Sequence, residues 1–219
     1  MAFESTMWTL IGQARDGSRE ALEKVLLQYR YPLLAYLKGR GIADHDAEDI
    51  AQEVFLQVCD EEFLKKADKK KGRFRTLLLR VTQHILLSDL RKQYSKKRGS
   101  GRRAISIEEL ADVDIPAVEE IRWNNLWAKN MLRMALDKLQ ADGARLKAPY
   151  HKVLVLRYLE GLSNPEIAAQ VGCKPHDIEN YIYQGKERVR KYLRELAAQY
   201  SFSGDEHAEE VEFLTKYSL

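Results

Sequence analysis

Residues 156–193 read LRYLEGLSNPEIAAQVGCKPHDIENYIYQGKERVRKYL. Gly161 closes a first helix, because glycine accepts the left-handed turn that ends one. Ser163 and Glu166 stand at the S-x-x-E spacing of a capping box: the hydroxyl meets the Glu166 amide and the carboxylate reaches back to the Ser163 amide. Pro165 falls in the first turn, where a missing N–H costs little. Ile167, Ala168 and Val171 supply an inner face, Gly172 a tight turn, and Pro175 the first position of the next helix. The inner stripe of that helix is Ile178, Ile182, Gly185, Val189 and Leu193, at spacings of 4, 3, 4 and 4. Helices joined by a short glycine turn have the layout of a helix-turn-helix. The outer face presents Lys174, His176, Glu179, Asn180, Tyr183, Gln184, Lys186, Arg190 and Lys191. Asn and Gln pair with adenine edges, and Lys or Arg hold phosphate or guanine. Asp177 and Glu179 are unfavourable near phosphate, although Glu179 can accept from a cytosine amine. The competing interpretation is a plain three-helix bundle with a solvated face.

Working outward, nearly every periodic segment is helical and no strand pattern is evident. The spacing predicts a short helix over 6–14, a break at Asp16-Gly17, and a helix from a Ser18 cap to about Gly39, bent or split at Pro32. A third helix runs from Asp44 to Cys59, and a fourth covers about 74–95. Composition changes at KKRGSGRR (96–103) and stays polar and acidic to residue 120. Helices resume near Val118 and continue to about Gln140, then cover 150–160, 164–171 and 175–199. The expected fold is all-α: two small helical domains, 1–95 and 121–200, joined by a flexible polar linker, 96–120, with an acidic tail of weak amphipathy, 201–219. The second domain carries the helix-turn-helix.

The net charge of +3 is uninformative, but its distribution is not. From Lys69 to Arg103 there are 13 Lys or Arg and one acid; from Asp44 to Glu62 there are eight acids and no Lys or Arg. Blocks of opposite sign speak about partners rather than fold. The fourth helix has Phe74, Leu77, Leu78, Val81, Ile85, Leu86 and Leu90 as its apolar set. Arg75, Arg80, Gln83, His84, Asp89, Arg91 and Lys92 are assigned largely to its wetter faces, and a helix whose exposed side is basic could lie along phosphates. The basic loop KKADKKKGR (65–73), flanked by Phe63 and Phe74, could admit a single strand, although Phe74 equally suits the core. In the third helix Glu48, Asp49, Gln52 and Glu53 form an acidic face, with Leu56 off the main apolar stripe, and such a face would repel DNA and suits a basic protein partner. Acids at the helix start also have a plainer explanation in the macrodipole.

Cys59 and Cys173 make neither a disulfide framework nor a zinc pattern, and read as buried thiols of a reducing cytoplasm. The N-terminal MAFESTMWTLIGQARDG lacks a basic stretch leading into an apolar one, so no signal peptide is expected. No apolar run approaches the roughly 18 residues of a membrane span. The five histidines form no H-x-x-x-H pair, and no glycine-rich phosphate loop follows a strand. No catalytic residue, cofactor or metal site is expected.

DAEDIAQEVFLQV (46–58) followed by GRFRTLLLRVTQHILLSDLRKQ (72–93) resembles region 2 of bacterial RNA polymerase sigma factors of the ECF group in the sigma-70 family. Residues 153–193 resemble region 4, and the likeness extends over about 17–196. The resemblance implies a factor that binds core RNA polymerase and promoter DNA, with an anti-sigma protein as a candidate further partner and no membrane insertion. It implies docking on the polymerase clamp through Asp49, Gln52, Glu53 and Leu56. It implies opening and single-strand contact at the −10 element by Phe74, Arg75, Arg80, Gln83, His84, Ser88, Arg91 and Lys92. The helix from Pro175 would enter the −35 major groove, and the acidic linker would follow the RNA exit path. The 177–181 and 184–186 segments carry Glu179, Tyr181 and Gln184 where the family is commonly basic, so this reading face is less basic than usual. A stand-alone helix-turn-helix regulator is the alternative function.

Overall fold

A computed structural model describes residues 7–60, 63, 73–94, 115–146, 148–200 and 204–216. The basic loop at 65–72 and the linker at 96–114 lie outside the described residues, as do the side chains of Arg91 and Lys92. Among the described residues all regular structure is helical: α1 (Met7–Arg15), α2 (Arg19–Gly39), α3 (Asp44–Val58), α4 (Phe74–Tyr94), α5 (Ala117–Ala141), α6 (Tyr150–Tyr158), α7 (Asn164–Val171), α8 (Pro175–Tyr200) and α9 (Gly204–Thr215). A 3-10 turn, Asp142–Arg145, follows α5. The chain divides into two compact units, Met1–Trp127 and Ala128–Leu219.

The first unit is built on α2. Gly17 turns the chain at φ 95°, and the Ser18 side chain then accepts from the Ala21 amide at 3.3 Å, capping α2 as its sequence predicts. Pro32 is buried within α2, and the helix is continuous across it rather than split. Gly41, at φ 81°, turns the chain into α3. Tyr29, Leu33, Tyr36 and Leu37 of α2 are buried, with Ala47, Ala51, Val54 and Val58 of α3. The small alanines let α3 pack closely against its neighbours, and α3 packs on both α2 and α4.

Helix α4 is buried over most of its circumference. Phe74, Leu78, Val81 and Ile85 make one buried row, and the Tyr29 and Phe74 rings meet edge to face at 5.4 Å. A second row, Arg75, Leu79 and Gln83, is also buried, which its polar members conceal from a periodicity search. The start of α5 covers that row. Trp123 donates its indole N–H to the Arg75 carbonyl at 2.9 Å, and Trp123 and Trp127 are both fully buried. Residues 117–120, assigned from sequence to the end of the linker, are the first turn of α5. Trp123 and Trp127, assigned to the second domain, belong to the first unit's core.

The second unit begins with the rest of α5, where Ala128, Met131, Ala135 and Leu139 are buried at spacings of three and four. Tyr192 of α8 donates to Asp142 at 2.7 Å, and Lys138 pairs with Glu195 at 2.6 Å. Burial and the bond to Asp142 push the Tyr192 hydroxyl up to about 12. Helices α6, α7 and α8 enclose Val153, Leu156, Ile167, Ala168 and Ile178. The tail contains a folded helix, α9, packed on α8 with Leu214 and Glu210 buried.

Candidate functional site

Three surfaces bear on function. In α3, Asp49, Gln52 and Leu56 are exposed and Glu53 is half-buried, all on one helical face. Leu56 is 62% exposed, as its place off the apolar stripe predicts. One guanidinium nitrogen of Arg30 in α2, Nη2, donates to both carboxylate oxygens of Glu48 at 2.8 and 2.9 Å, holding α2 beside this acidic helix. Two large residues of α2 that sequence reading passed over, Leu27 and Tyr31, are 63% and 50% exposed. The signal for them was available: both fall outside the stripe of Val25, Tyr29, Leu33 and Leu37 that packs inward. A leucine amid acidic side chains offers apolar contact area with a negative surround, which suits a basic protein face better than a nucleic acid.

The second surface is the open side of α4. Arg80, His84 and Ser88 are half-buried at successive four-residue steps, and Leu87 beside them is 44% exposed. The Arg80 Nε and His84 Nδ1 atoms are buried and have no hydrogen-bond partner among the described residues. Three candidates do not share this side. Phe74, Arg75 and Gln83 are only 4%, 5% and 6% exposed. Phe74 packs on Tyr29 and belongs to the core. The Arg75 guanidinium donates to the Asn124 side-chain oxygen at 3.0 Å and lies 4.2 Å over the Trp127 ring. The Gln83 amide donates to the Tyr36 hydroxyl. Assigning Arg75 and Gln83 to a wet face therefore fails because α5 covers it.

The Tyr36 hydroxyl is the hub of that cover. It donates to Glu119 at 2.7 Å and accepts from Arg40 at 3.0 Å as well as from Gln83. One donor and two acceptor sites exhaust what a phenol offers. Burial, and then the bond to Glu119, push its pKa up to about 12. Arg40 and Glu119 also pair directly at 3.1 Å, and the Trp123 ring meets Tyr36 edge-on at 5.6 Å.

The third surface is the outer face of α8. The Ser163–Glu166 capping box forms, with the Ser163 amide donating to the carboxylate at 2.8 Å. Hydrogen bonds from the Ser163 side chain and backbone hold the Glu166 carboxyl below its ordinary range. Gly172 takes φ 75°, the turn expected of it. Arg157 clamps the same corner, donating to the Leu162 carbonyl at 2.9 Å and to the Asn164 side chain. Gly185 lets α8 approach α6, since a Cβ there would lie 3.1 Å from Leu154. Lys174, His176, Glu179, Asn180 and Tyr183 are exposed, and Gln184, Lys186 and Arg190 half-buried. Several of the charges are already engaged. Arg190 pairs with Glu187, Lys186 sits 4.8 Å over the Tyr158 ring, and Asn164 reaches Glu179 at 3.4 Å. The face has helix-turn-helix geometry with little free positive charge.

Cys59 and Cys173 are free thiols, and burial pushes both up from the ordinary thiol value. Among the described residues no group of three or more His, Cys, Asp or Glu could hold a metal ion, and no helix is long and apolar enough to cross a membrane.

Comparison with known proteins matches residues 4–195 to the family described as ECF sigma factor. The ECF RNA polymerase sigma factor SigW of Bacillus subtilis is 26% identical over 197 residues, covering 85% of this chain and 96% of that protein. The ECF RNA polymerase sigma-E factor of Escherichia coli is 24% identical over 199 residues, 90% of this chain and 98% of that one. The ECF RNA polymerase sigma factor SigE of Mycolicibacterium smegmatis is 30% identical over 164 residues, 74% of this chain; the match spans 56% of that relative's length.

Proposed function

The chain belongs to the ECF sigma factor family, and on that premise we propose how its surfaces divide the work of a factor that binds core RNA polymerase and directs initiation at promoters. The acidic stripe of α3, Asp49, Gln52, Glu53 and Leu56, docks on the polymerase. The open side of α4, with Arg80, His84 and Ser88 and continuing toward Arg91 and Lys92, holds the separated strand of the −10 element. Helix α8 reads the −35 element through Asn180, Tyr183, Gln184 and their neighbours. The protein works in the cytoplasm, in keeping with its free thiols, and contributes no reaction chemistry of its own. An anti-sigma protein is a further partner in this reading.

The observation that supports the division best is the pair of unlike faces on the first unit. One carries acids around an exposed leucine, and the other carries the half-buried Arg80, His84 and Ser88 beside an exposed Leu87. Polymerase and DNA can therefore be held by one unit without competing for the same side chains. The test is an anisotropy titration of the labelled chain with core RNA polymerase. Saturable one-to-one binding is expected, weakened about tenfold or more by Asp49→Lys with Glu53→Lys, as for reversal of interfacial charges. Unchanged affinity in the double variant would move the docking surface elsewhere.

A further inference from the structure

The leading half of α8 holds no Lys or Arg: from Pro175 to Gln184 it reads PHDIENYIYQ. In a helix-turn-helix the N-terminal residues of the second helix are the ones that meet base edges. A guanine edge offers two acceptors, N7 and O6, and arginine or lysine is the side chain that most often fills them. The neighbouring cations are placed for other work. Lys186 sits 4.8 Å over the Tyr158 ring and Arg190 pairs with Glu187, both beyond Gln184. Lys174 precedes the helix, where an ammonium suits phosphate, and phosphate carries no sequence information. The acids of the stretch turn to the protein's own groups. Asp177 accepts from the Lys174 amide at 3.3 Å and lies 3.3 Å from the His176 Nε2 atom, and Glu179 accepts from Asn164 at 3.4 Å. Ile178, Ile182 and Gly185 mark the inward side, with Gly185 drawn against Leu154. At about 100° per residue, Asn180, Tyr183 and Gln184 fall on the opposite side. All three are uncharged; Asn180 is exposed, the Tyr183 residue is 60% exposed, and Gln184 is half-buried.

Asparagine and glutamine amides each match the N6 donor and N7 acceptor of adenine, and an apolar ring suits the thymine methyl. Residues at i, i+3 and i+4 are neighbours on one helical face. Four residues of helix rise about 6 Å, close to two base-pair steps of about 3.4 Å each. We propose that α8 is a reader of A·T pairs: Asn180 and Gln184 each take an adenine edge in the major groove, about two steps apart, and Tyr183 lies between them on a thymine methyl. The inference rests on the assignment of α8 to the −35 element made above, and adds which base pairs that element holds.

A change of specificity tests it. The full chain, assembled with core RNA polymerase, selects bound duplexes from a random-sequence pool long enough to hold both promoter elements. Expected is a −35 element with two A·T pairs about two steps apart. Gln184→Arg should turn one of them to G·C, moving its A·T to G·C ratio about tenfold or more, while the other pair and the −10 element keep their sequence. Asn180→Ala should relax the second pair alone by a like factor. Tyr183→Phe should keep the thymine preference between them, and Tyr183→Ala should lose it. A −35 element with G·C at these positions in the unsubstituted chain, still altered by Gln184→Arg, would overturn A·T reading and leave the assignment of α8 standing. An element that none of the α8 variants alters, or a −10 element selected with no second element, would remove that assignment, and A·T reading with it.

Discussion

Helices α4 and α8 both carry a candidate nucleic-acid face, and they differ in what packs behind it. Helix α8 rests on α6, α7 and α9, its neighbours in the chain, so its inner row of Ile178, Gly185 and Val189 is fixed by local spacing. Its outer row is then the remainder. Helix α4 rests on α2 and α3 on one side, but its second buried row meets Trp123 and Asn124, 48 and 49 residues further on. A polar residue on α8's outer face is therefore on the surface, whereas on α4 a polar residue can be a core residue with a partner from beyond the linker. Helical period separates inside from outside where the packing partners are close in the chain, and fails where a partner arrives from beyond the linker.

The contrast is broken or sharpened most strongly at Trp123. Trp123→Ala empties a fully buried site and is expected to cost about 3–5 kcal/mol, whereas Tyr183→Ala on the outer face of α8 should stay within about 0.5 kcal/mol. Urea unfolding followed by circular dichroism measures both. Equal small losses would mean that the α5 face is not part of the first unit's core.

A smaller effect separates two neighbours on α4. Gln83→Ala leaves the Tyr36 hydroxyl short of a buried donor and should cost about 1–3 kcal/mol. His84→Ala, one residue on, should change stability by no more than about 0.5 kcal/mol. The reverse order would place the buried row on the other side of the helix.

The smallest effect is in the pH dependence. The Tyr36 pKa is raised from 10.0 to about 12, so the protonated form is favoured in the folded state. Its contribution is complete below the unfolded value and is lost as pH rises from 10 towards 12. Tyr36→Phe should therefore flatten the fall in stability between those pH values, whatever its cost at neutral pH. Identical slopes in the two proteins would show that the hydroxyl ionises as it does in water.

Much of this was legible in the sequence because it depends on residues close together in the chain. The Ser163–Glu166 box, the Gly172 turn, the Ser18 cap and the exposed Leu56 all follow from spacings of three or four residues or from the demands of a single turn. The boundaries of α5, expected at about 118–140, were legible for the same reason, but what its first eleven residues touch was not. Trp123 and Trp127 gave a hint, since two tryptophans at a four-residue step seldom end a polar linker. Nothing local says which unit they enter. The burial of Arg75 and Gln83 was illegible because their side chains are those of a wet face, and only Asn124, Trp127 and Tyr36 make burial tolerable by supplying partners. The tail is a milder case: its acids suggest solvated chain, yet Leu214 and Glu210 seat it on α8.

The most direct test of the division on α4 is promoter opening by the complete complex with core RNA polymerase, read by fluorescence of an unstacked base analogue in the −10 element. With Arg80→Glu, opening should fall about tenfold or more while polymerase affinity stays unchanged, because a strand-side cation becomes an anion facing phosphate. Full opening by that variant, or a parallel loss of polymerase affinity, would contradict the assignment of the open side of α4 to the separated strand.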